Sequence, residues 1–396
     1  MEESDLKGMK TILPIKAPLR VALLIETSNG YGRGLLKGIS HYIREHERWQ
    51  VYLCDQDWGA SPDFALRRWK GDGIIARIET PAIATALRGV KIPTVDVSSS
   101  RLMPKIPWFE NDYPAIAKLA MEHFTARGFK RFAFCGDKRY QWAQWIRDHF
   151  TSMVRAAGYP CYVIEPNCHS ALGNESELQE ITAWVKSLPK PIALLACNDF
   201  AGRGVLEACR IASIQVPDEI AVLGQDNDEV FCELSTPPLS SIQQNSARIG
   251  YEAAAGLVGL MRGETLSNEG IFVPPIGIVT RQSTDVLAIE DRSVVQAVRF
   301  IREHACEGIN VKDVLKAIPQ SRRLLESKFR KVLGHTPHDE ILNIQLAKVK
   351  LLLVETDHSM ESIAERTGFN YVEYLSVAFK RIFGMPPSEY RKLNRR

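Results

Sequence analysis

The sequence predicts a two-lobed α/β domain followed by an all-α domain with two helix-turn-helix motifs. Three observations carry this prediction. From residue 18 to about 285, short apolar runs alternate with amphipathic stretches. Around Ser283–Arg292 the alternation stops, and every later segment has helical periodicity. One pattern then occurs twice, fifty positions apart: FRKVLGHTP from Phe329 and FKRIFGMPP from Phe379.

In the first region the strand candidates are Arg20–Glu26, Val51–Cys54, Gly73–Ile78, Thr94–Val97, Arg131–Cys135, Tyr162–Ile164, Ile192–Cys197 and Ile220–Leu223. Helical segments lie between them at Arg33–Glu45, Asp112–Arg127, Trp142–Ala157, Ser176–Leu188 and Gly202–Ile211. Short apolar strands separated by helices predict parallel sheets covered on both faces. Some 265 residues exceed the common domain size, so two similar lobes are expected. Lobe 1 is placed at about 18–135 and 245–275, and lobe 2 at about 136–244 and 276–285, after a tail of 1–17. Ligands of open α/β sheets bind beyond the C-terminal strand ends, so polar residues there are the ones to inspect.

Composition narrows the classes. The chain has 396 residues, 45% hydrophobic and 24% charged, as in a soluble globular protein. Its net charge of +3 is uneven: from Asp291 onward 19 Lys plus Arg face 13 Asp plus Glu, whereas the first 290 residues carry 31 against 34. A basic C-terminal segment on a slightly acidic body suits a nucleic-acid reader carried by a sensor or an enzyme. No apolar run approaches the ~18 residues of a membrane span, and MEESDLKGMKTILPIK lacks the apolar core of a signal peptide. A reduced, cytoplasmic protein is expected.

The eight cysteines form no C-x-x-C pair, and Cys54, Cys135 and Cys197 sit at strand ends as small hydrophobes. Cys161, Cys168 and His169 lack a second ligand pair, so no metal site is expected. Gly30-Tyr-Gly-Arg-Gly34 has the look of a phosphate loop but lacks the next spaced glycine and an acidic partner, so no nucleotide cofactor is expected. No nucleophile–base pair stands in motif spacing, which points away from an enzyme.

A linker at 286–293 leads to the all-α domain at 294–396. Helices are predicted at Val294–Cys306, Val311–Ile318, Ser321–Leu333, His338–Val354, Ser362–Thr367, Tyr371–Phe383 and Pro387–Lys392. Across the fifty-residue offset Leu325 matches Leu375, Phe329 matches Phe379, and Gly334 and Pro337 match Gly384 and Pro387. An apolar pair at i and i+4, two cations and a Gly-x-x-Pro stop describe a basic helix with one buried stripe and a sharp end. Two copies suggest two helix-turn-helix units, at about 311–333 and 362–383. The faces left free carry Ser321, Arg322, Arg323, Glu326 and Arg330 in one copy, and Asn370, Tyr371, Glu373, Ser376, Lys380 and Arg381 in the other. Arg reads guanine edges, while Ser, Asn and Lys contact bases or phosphates. If the helix between them sets the units about 34 Å apart, both enter successive major grooves of double-stranded DNA.

This region resembles the AraC family of transcription regulators over about 294–393. The resemblance rests on Ala364, Gly368-Phe369, Phe379-Lys380-Arg381, Gly384, Pro387 and Tyr390-Arg391. The first copy departs at Pro319-Gln320, where the family more often has a small residue and then an apolar one.

Residues 18–285 resemble the effector domain of LacI-type repressors, which is periplasmic-binding-protein-like. Carrying it are Asn111-Asp112, Asn198-Asp199, Val216-Pro217-Asp218, Gly224-Gln225-Asp226 and Pro237-Pro238-Leu239, in the family's order. Only about 18 residues precede the first strand, too few for the usual LacI-type headpiece. A LacI-like sensor followed by an AraC-like reader is similar to the xylose-operon regulators. That resemblance implies a sugar-responsive transcription activator acting as a homodimer with RNA polymerase, with D-xylose as the favoured effector. It places sugar-binding groups at Asp226, Asn198, Gln244, Arg147 and Asp112. Tyr31 follows the first strand toward the cleft, and Trp108, Phe109, Trp142 and Phe231 are candidates for stacking on a sugar. Each aromatic equally suits core packing. Asp112, Asp199 and Asp218 equally suit helix N-caps, and the cap is the favoured reading for the last two.

Overall fold

The computed structural model describes residues 18–46, 48–54, 69–166, 175–266, 270–285, 291–318 and 320–394. The predicted tail, Cys168, His169, Pro319 and residues 286–290 of the linker lie outside them.

Two large sheets and a two-stranded one form the α/β part among the described residues. In the first, β1 (Leu19–Leu24), β2 (Trp49–Leu53), β3 (Gly73–Ala76) and β4 (Thr94–Asp96) are parallel in the order β2-β1-β3-β4. A bridge from Asp96 to Trp108 sets β5 (Phe109–Asn111) alongside, and β5 pairs with β11 (Ile271–Val273). The second sheet contains β6 (Phe132–Cys135), β7 (Cys161–Ile164), β8 (Ile192–Ala196), β9 (Ile220–Gln225), β10 (Ser240–Gln243) and β12 (Gly277–Val279). Its order is β12-β10-β9-β8-β6-β7, and β12 alone runs antiparallel. β3, β6, β8 and β9 are buried along their whole length, as parallel strands covered on both faces must be.

The covering helices are α1 (Gly30–Glu45), α2 (Pro81–Leu87), α3 (Tyr113–Thr125), α4 (Gln141–Ala156), α5 (Glu175–Ser187), α6 (Asp199–Ile211), α7 (Glu229–Glu233) and α8 (Ser246–Met261). α1 lies along α8. A side chain at Gly38 or Gly250 would run into the backbone carbonyls of Ala247 and Leu35, so these glycines let the two helices touch backbone to backbone. The Gly30–Gly34 segment, phosphate-loop-like in sequence, is the first turn of α1 capped by Asn29. Gly34 there faces Ser246 at close range, so its role is packing.

The lobe boundary differs from the sequence expectation of about 135. β6 belongs to the second sheet, and α3 packs on α4 with Phe124, Phe132, Phe134 and Phe150 in one core. The chain therefore changes lobes just after β5. It crosses back between β10 and α8, and again between β11 and β12.

The remaining elements are α9 (Arg292–His304), α10 (Val311–Ala317), α11 (Arg322–Leu333), α12 (Pro337–Glu355), α13 (Met360–Arg366), α14 (Val372–Phe383) and α15 (Pro387–Asn394). They build two apolar clusters. Leu325 and Phe329 of α11 anchor one, Leu375 and Phe379 of α14 anchor the other, and α12 contributes Ile341 to the first and Leu342, Leu346, Val349 and Leu353 to the second. α11 and α14 both end in a left-handed glycine, Gly334 and Gly384, and Pro337 and Pro387 open the next helices. The helical part rests on the α/β part through polar contacts. Lys350 donates to the Pro275 carbonyl at 3.2 Å and Gln243 to Glu355 at 3.3 Å, while Arg248 donates to the Leu393 carbonyl.

Candidate ligand cleft and nucleic-acid interface

A cleft of about 510 Å³, partly open to solvent, lies where residues following β1, β3, β4 and β5 of the first lobe meet those following β8 and β9 of the second. This is the C-terminal edge of both sheets. Of the sequence candidates, Tyr31, Trp142, Asn198, Asp226 and Gln244 line it. Asn198 caps α6 by accepting from Ala201 N at 2.8 Å, which leaves its amide NH2 for other partners. Asp226 has φ +102°, and its own N–H donates to the Ile242 carbonyl at 3.0 Å. Burial, and then the charge of nearby Asp199, holds the Asp226 carboxyl well above the usual carboxylate range.

The other candidates stand elsewhere. Arg147 bonds both oxygens of Glu165, at 2.8 and 2.7 Å, and also reaches Asp148. Asp112 caps α3, accepting from Ala115 N at 2.9 Å. Trp108 lies under the Arg101 guanidinium at 4.1 Å, Phe109 is in the first-lobe core, and Phe231 packs on Phe200 at 4.5 Å. Asp199 is not a cap, since Asn198 occupies that position. Its buried carboxylate instead accepts from Ser241 Oγ at 2.6 Å and Asp228 N at 2.8 Å. Asp218 precedes β9 rather than a helix.

Residues that the sequence reading passed over complete the lining. Arg77 and Glu79 follow β3, Glu110 and Asn111 end β5, Gln225 ends β9, and Phe200 and Tyr113 sit in the first turns of α6 and α3. Arg77 pairs with Glu26, reaches Glu79 at 3.3 Å and lies over the Tyr31 ring at 5.1 Å. The rule that polar residues just beyond strands face the cleft would have found Arg77 had the strand been ended at Ala76. Lining residues that hold a buried polar atom with no protein partner include Glu110 (Oε2), Asn111 (Oδ1), Trp142 (Nε1), Gln225 (Oε1) and Gln244 (Oε1). Such groups are costly unless a ligand or water satisfies them. At the rim Arg33 of α1 bonds Asp228 at 2.8 Å, joining the two lobes across the cleft.

The second candidate surface is formed by α11 and α14. Ser321, Arg322, Arg323, Arg330, Asn370, Tyr371, Glu373, Lys380 and Arg381 are exposed, as a groove-facing side requires. Glu326 and Ser376 are half-buried, and Glu326 is held by Arg322 at 2.8 Å. Leu324, Ser327, Lys331, Tyr374 and Val377, which the sequence did not single out as DNA contacts, are exposed on the same faces.

Comparison with known proteins identifies both parts of the chain. Residues 20–123 match the XylR N-terminal domain, 121–284 a periplasmic binding protein-like domain and 315–393 a helix-turn-helix domain. The xylose operon regulatory protein of Haemophilus influenzae is 33% identical, over 94% of this chain and 98% of its own. The chain belongs to the family of xylose operon regulatory proteins. The Escherichia coli K12 member is 32% identical over 95% of this chain and 97% of its own. A solved structure of the xylose-binding transcription activator XylR covers 96% of this chain and 99% of its own at 30% identity, with a TM-score of 0.61. This member is therefore a DNA-binding transcription regulator with a LacI-like effector part and an AraC-type reader. No helix among the described residues is long and apolar enough to cross a membrane.

Proposed function

We propose that this regulator is a cytoplasmic, non-enzymatic activator of pentose catabolism genes whose effector, D-xylose, occupies the cleft between the lobes. One observation carries the reading most: Glu110, Asn111, Trp142, Gln225 and Gln244 bury polar atoms that the protein leaves unsatisfied, in a cleft that also holds Arg77, Glu79 and Asp226. A pentose presents several hydroxyls, each a donor and an acceptor, and one apolar face. Asp226 accepts hydroxyl hydrogens, Asn198, Gln225 and Gln244 bond hydroxyl pairs, and Tyr31, Trp142 and Phe200 cover carbon faces.

The effector part spans 18–285 and the reader 294–396. Sugar binds the closed arrangement of the lobes more tightly and shifts the population toward it. In a homodimer that shift changes how two readers sit on adjacent half-sites before RNA polymerase, with a coupling of roughly 1–3 kcal/mol.

Calorimetric titration with D-xylose, then with other pentoses, hexoses and nucleobases, tests this. Saturable xylose binding that disappears in Asp226→Ala is expected. Silence for xylose with a signal from another compound would replace the effector, and no signal at all would reduce the α/β part to a dimerisation scaffold.

A further inference from the structure

The fifty-residue offset allows the two recognition helices to be compared position by position. Their buried anchors coincide, Leu325 with Leu375 and Phe329 with Phe379, so the helices are rotated alike against their cores. The outward face of α11 presents Arg323, Leu324, Ser327, Arg330 and Lys331, and that of α14 presents Glu373, Tyr374, Val377, Lys380 and Arg381. These positions recur at i, i+1, i+4, i+7 and i+8, one stripe of an α-helix. The cations at the C-terminal end match between copies. The middle does not.

Where α11 has Ser327, α14 has Val377, 67% exposed, and one turn earlier Tyr374, 49% exposed, stands where α11 has Leu324, 47% exposed. Where α11 has Arg323, α14 has Glu373. Two large apolar side chains thus stand outward on one stripe, bracketed by an acid on one side and two cations on the other. Exposed apolar groups grouped in this way mark a contact surface. The major groove of DNA carries one apolar group, the C5-methyl of thymine, and its rims carry phosphates that suit Lys380 and Arg381. Glu373 accepts from the cytosine amino group and is repelled by the acceptor pair of guanine.

We propose that Tyr374 and Val377 are specificity-determining residues that read thymine methyl groups, so that the two units recognise chemically different half-sites. The α14 half-site is selected for thymine by apolar contact. The α11 half-site is selected for guanine through Arg323. DNA is favoured over a protein as the occupant because the equivalent stripe of α11 sets Leu324 among Arg323, Arg330 and Lys331, and the end of the α14 stripe keeps two matching cations.

The test removes single methyl groups from DNA. Full-length protein selects its preferred duplex from a random pool, and each thymine of that duplex is then replaced in turn by deoxyuracil. Affinity is expected to fall about threefold to fivefold per contacted methyl, the worth of one buried carbon, at one or two positions within the stretch that each α14 covers. Val377→Ser should abolish that sensitivity and leave the other half-site unchanged, while Arg323→Ala relaxes guanine selection there. Val377 is an exposed helical position, so the variant keeps its fold, checked by circular dichroism. Three results overturn the proposal: no uracil position shifting affinity by as much as 1.5-fold, undiminished sensitivity in Val377→Ser, or normal DNA binding by that variant with loss of polymerase-dependent transcription. The last outcome would assign the stripe to a protein partner.

Discussion

The amide of Asn245 donates to the side-chain oxygen of Asn394 across 149 positions of sequence, at 2.9 Å and out of solvent. Asn245 lies on the crossing between β10 and α8 and caps α8, while Asn394 ends the last helix of the reader. Beside this bond, Lys350 on Pro275 and Glu355 on Gln243 touch the same two crossing segments. The reader is seated on the hinge itself.

Asn394→Ala removes that acceptor and also a bond from its amide to the Tyr390 carbonyl at 2.8 Å. Leaving the buried Asn245 amide unsatisfied should cost about 1–3 kcal/mol, measured by denaturant unfolding. Hydrogen exchange at 243–246 should quicken in the same variant. Unaltered exchange there would show that the hinge does not feel the reader.

The Arg33–Asp228 pair crosses the cleft rim, with Arg33 about half exposed and Asp228 buried. It ties the two lobes together across the cleft, and its loss is expected to lower the fraction of binding-competent protein. Arg33→Ala should weaken effector binding about twofold to tenfold with the fold intact. Calorimetry reads this directly, and an affinity equal to that of the unaltered protein would show that the pair does not bias closure.

Burial raises the carboxyls of Asp96 and Asp199 to about 7. In the unfolded chain each titrates near 4, roughly the model-peptide value. The folded protein therefore holds more protons between these values, and the stability so gained is complete at low pH and lost as pH rises through about 7. His123, lowered by burial, works the other way but only below its ordinary value, and Asp291, lowered to about 2, acts at still lower pH. Between about pH 5 and 7 the Asp96 and Asp199 carboxyls should cost the ligand-free protein stability as pH rises, with the slope flattening above about 7. The slope should shrink in Asp199→Asn, and parallel melting-temperature profiles for the two proteins would refute the assignment.

The helical half was legible because its signals are local. A basic stripe, a glycine stop and a proline restart lie within nine residues of one another, and each copy vouches for the other. The α/β half was legible where periodicity was strong. α8 escaped notice because SARIGYEAAAGLVGLM is buried on nearly every side against α1 and the sheet, leaving no polar face to reveal the period. β5, β11 and β12 have three residues each, below the length at which alternation is detectable. The cleft was half legible for a related reason. Asp226 and Asn198 follow recognisable strands, whereas Glu110 and Asn111 lie on β5, and Arg77 was absorbed into an overlong strand. Arg147 carries a charge that its neighbours Glu165 and Asp148 already answer, which only three-dimensional proximity reveals.

Helix α12 gives Ile341 to one apolar cluster of the reader and Leu342 onward to the other, so no joint separates them. Its 19 residues form a rod roughly 28 Å long at the usual helical rise. Because that rod is continuous and packed at both ends, the stride between the two recognition helices is a constant of the covalent chain. An effector therefore has no means to retune the phase of one reader on its own operator. What it can alter is where the whole rigid foot lands, so in the proposed homodimer the regulated quantity is the placement of one reader relative to its twin.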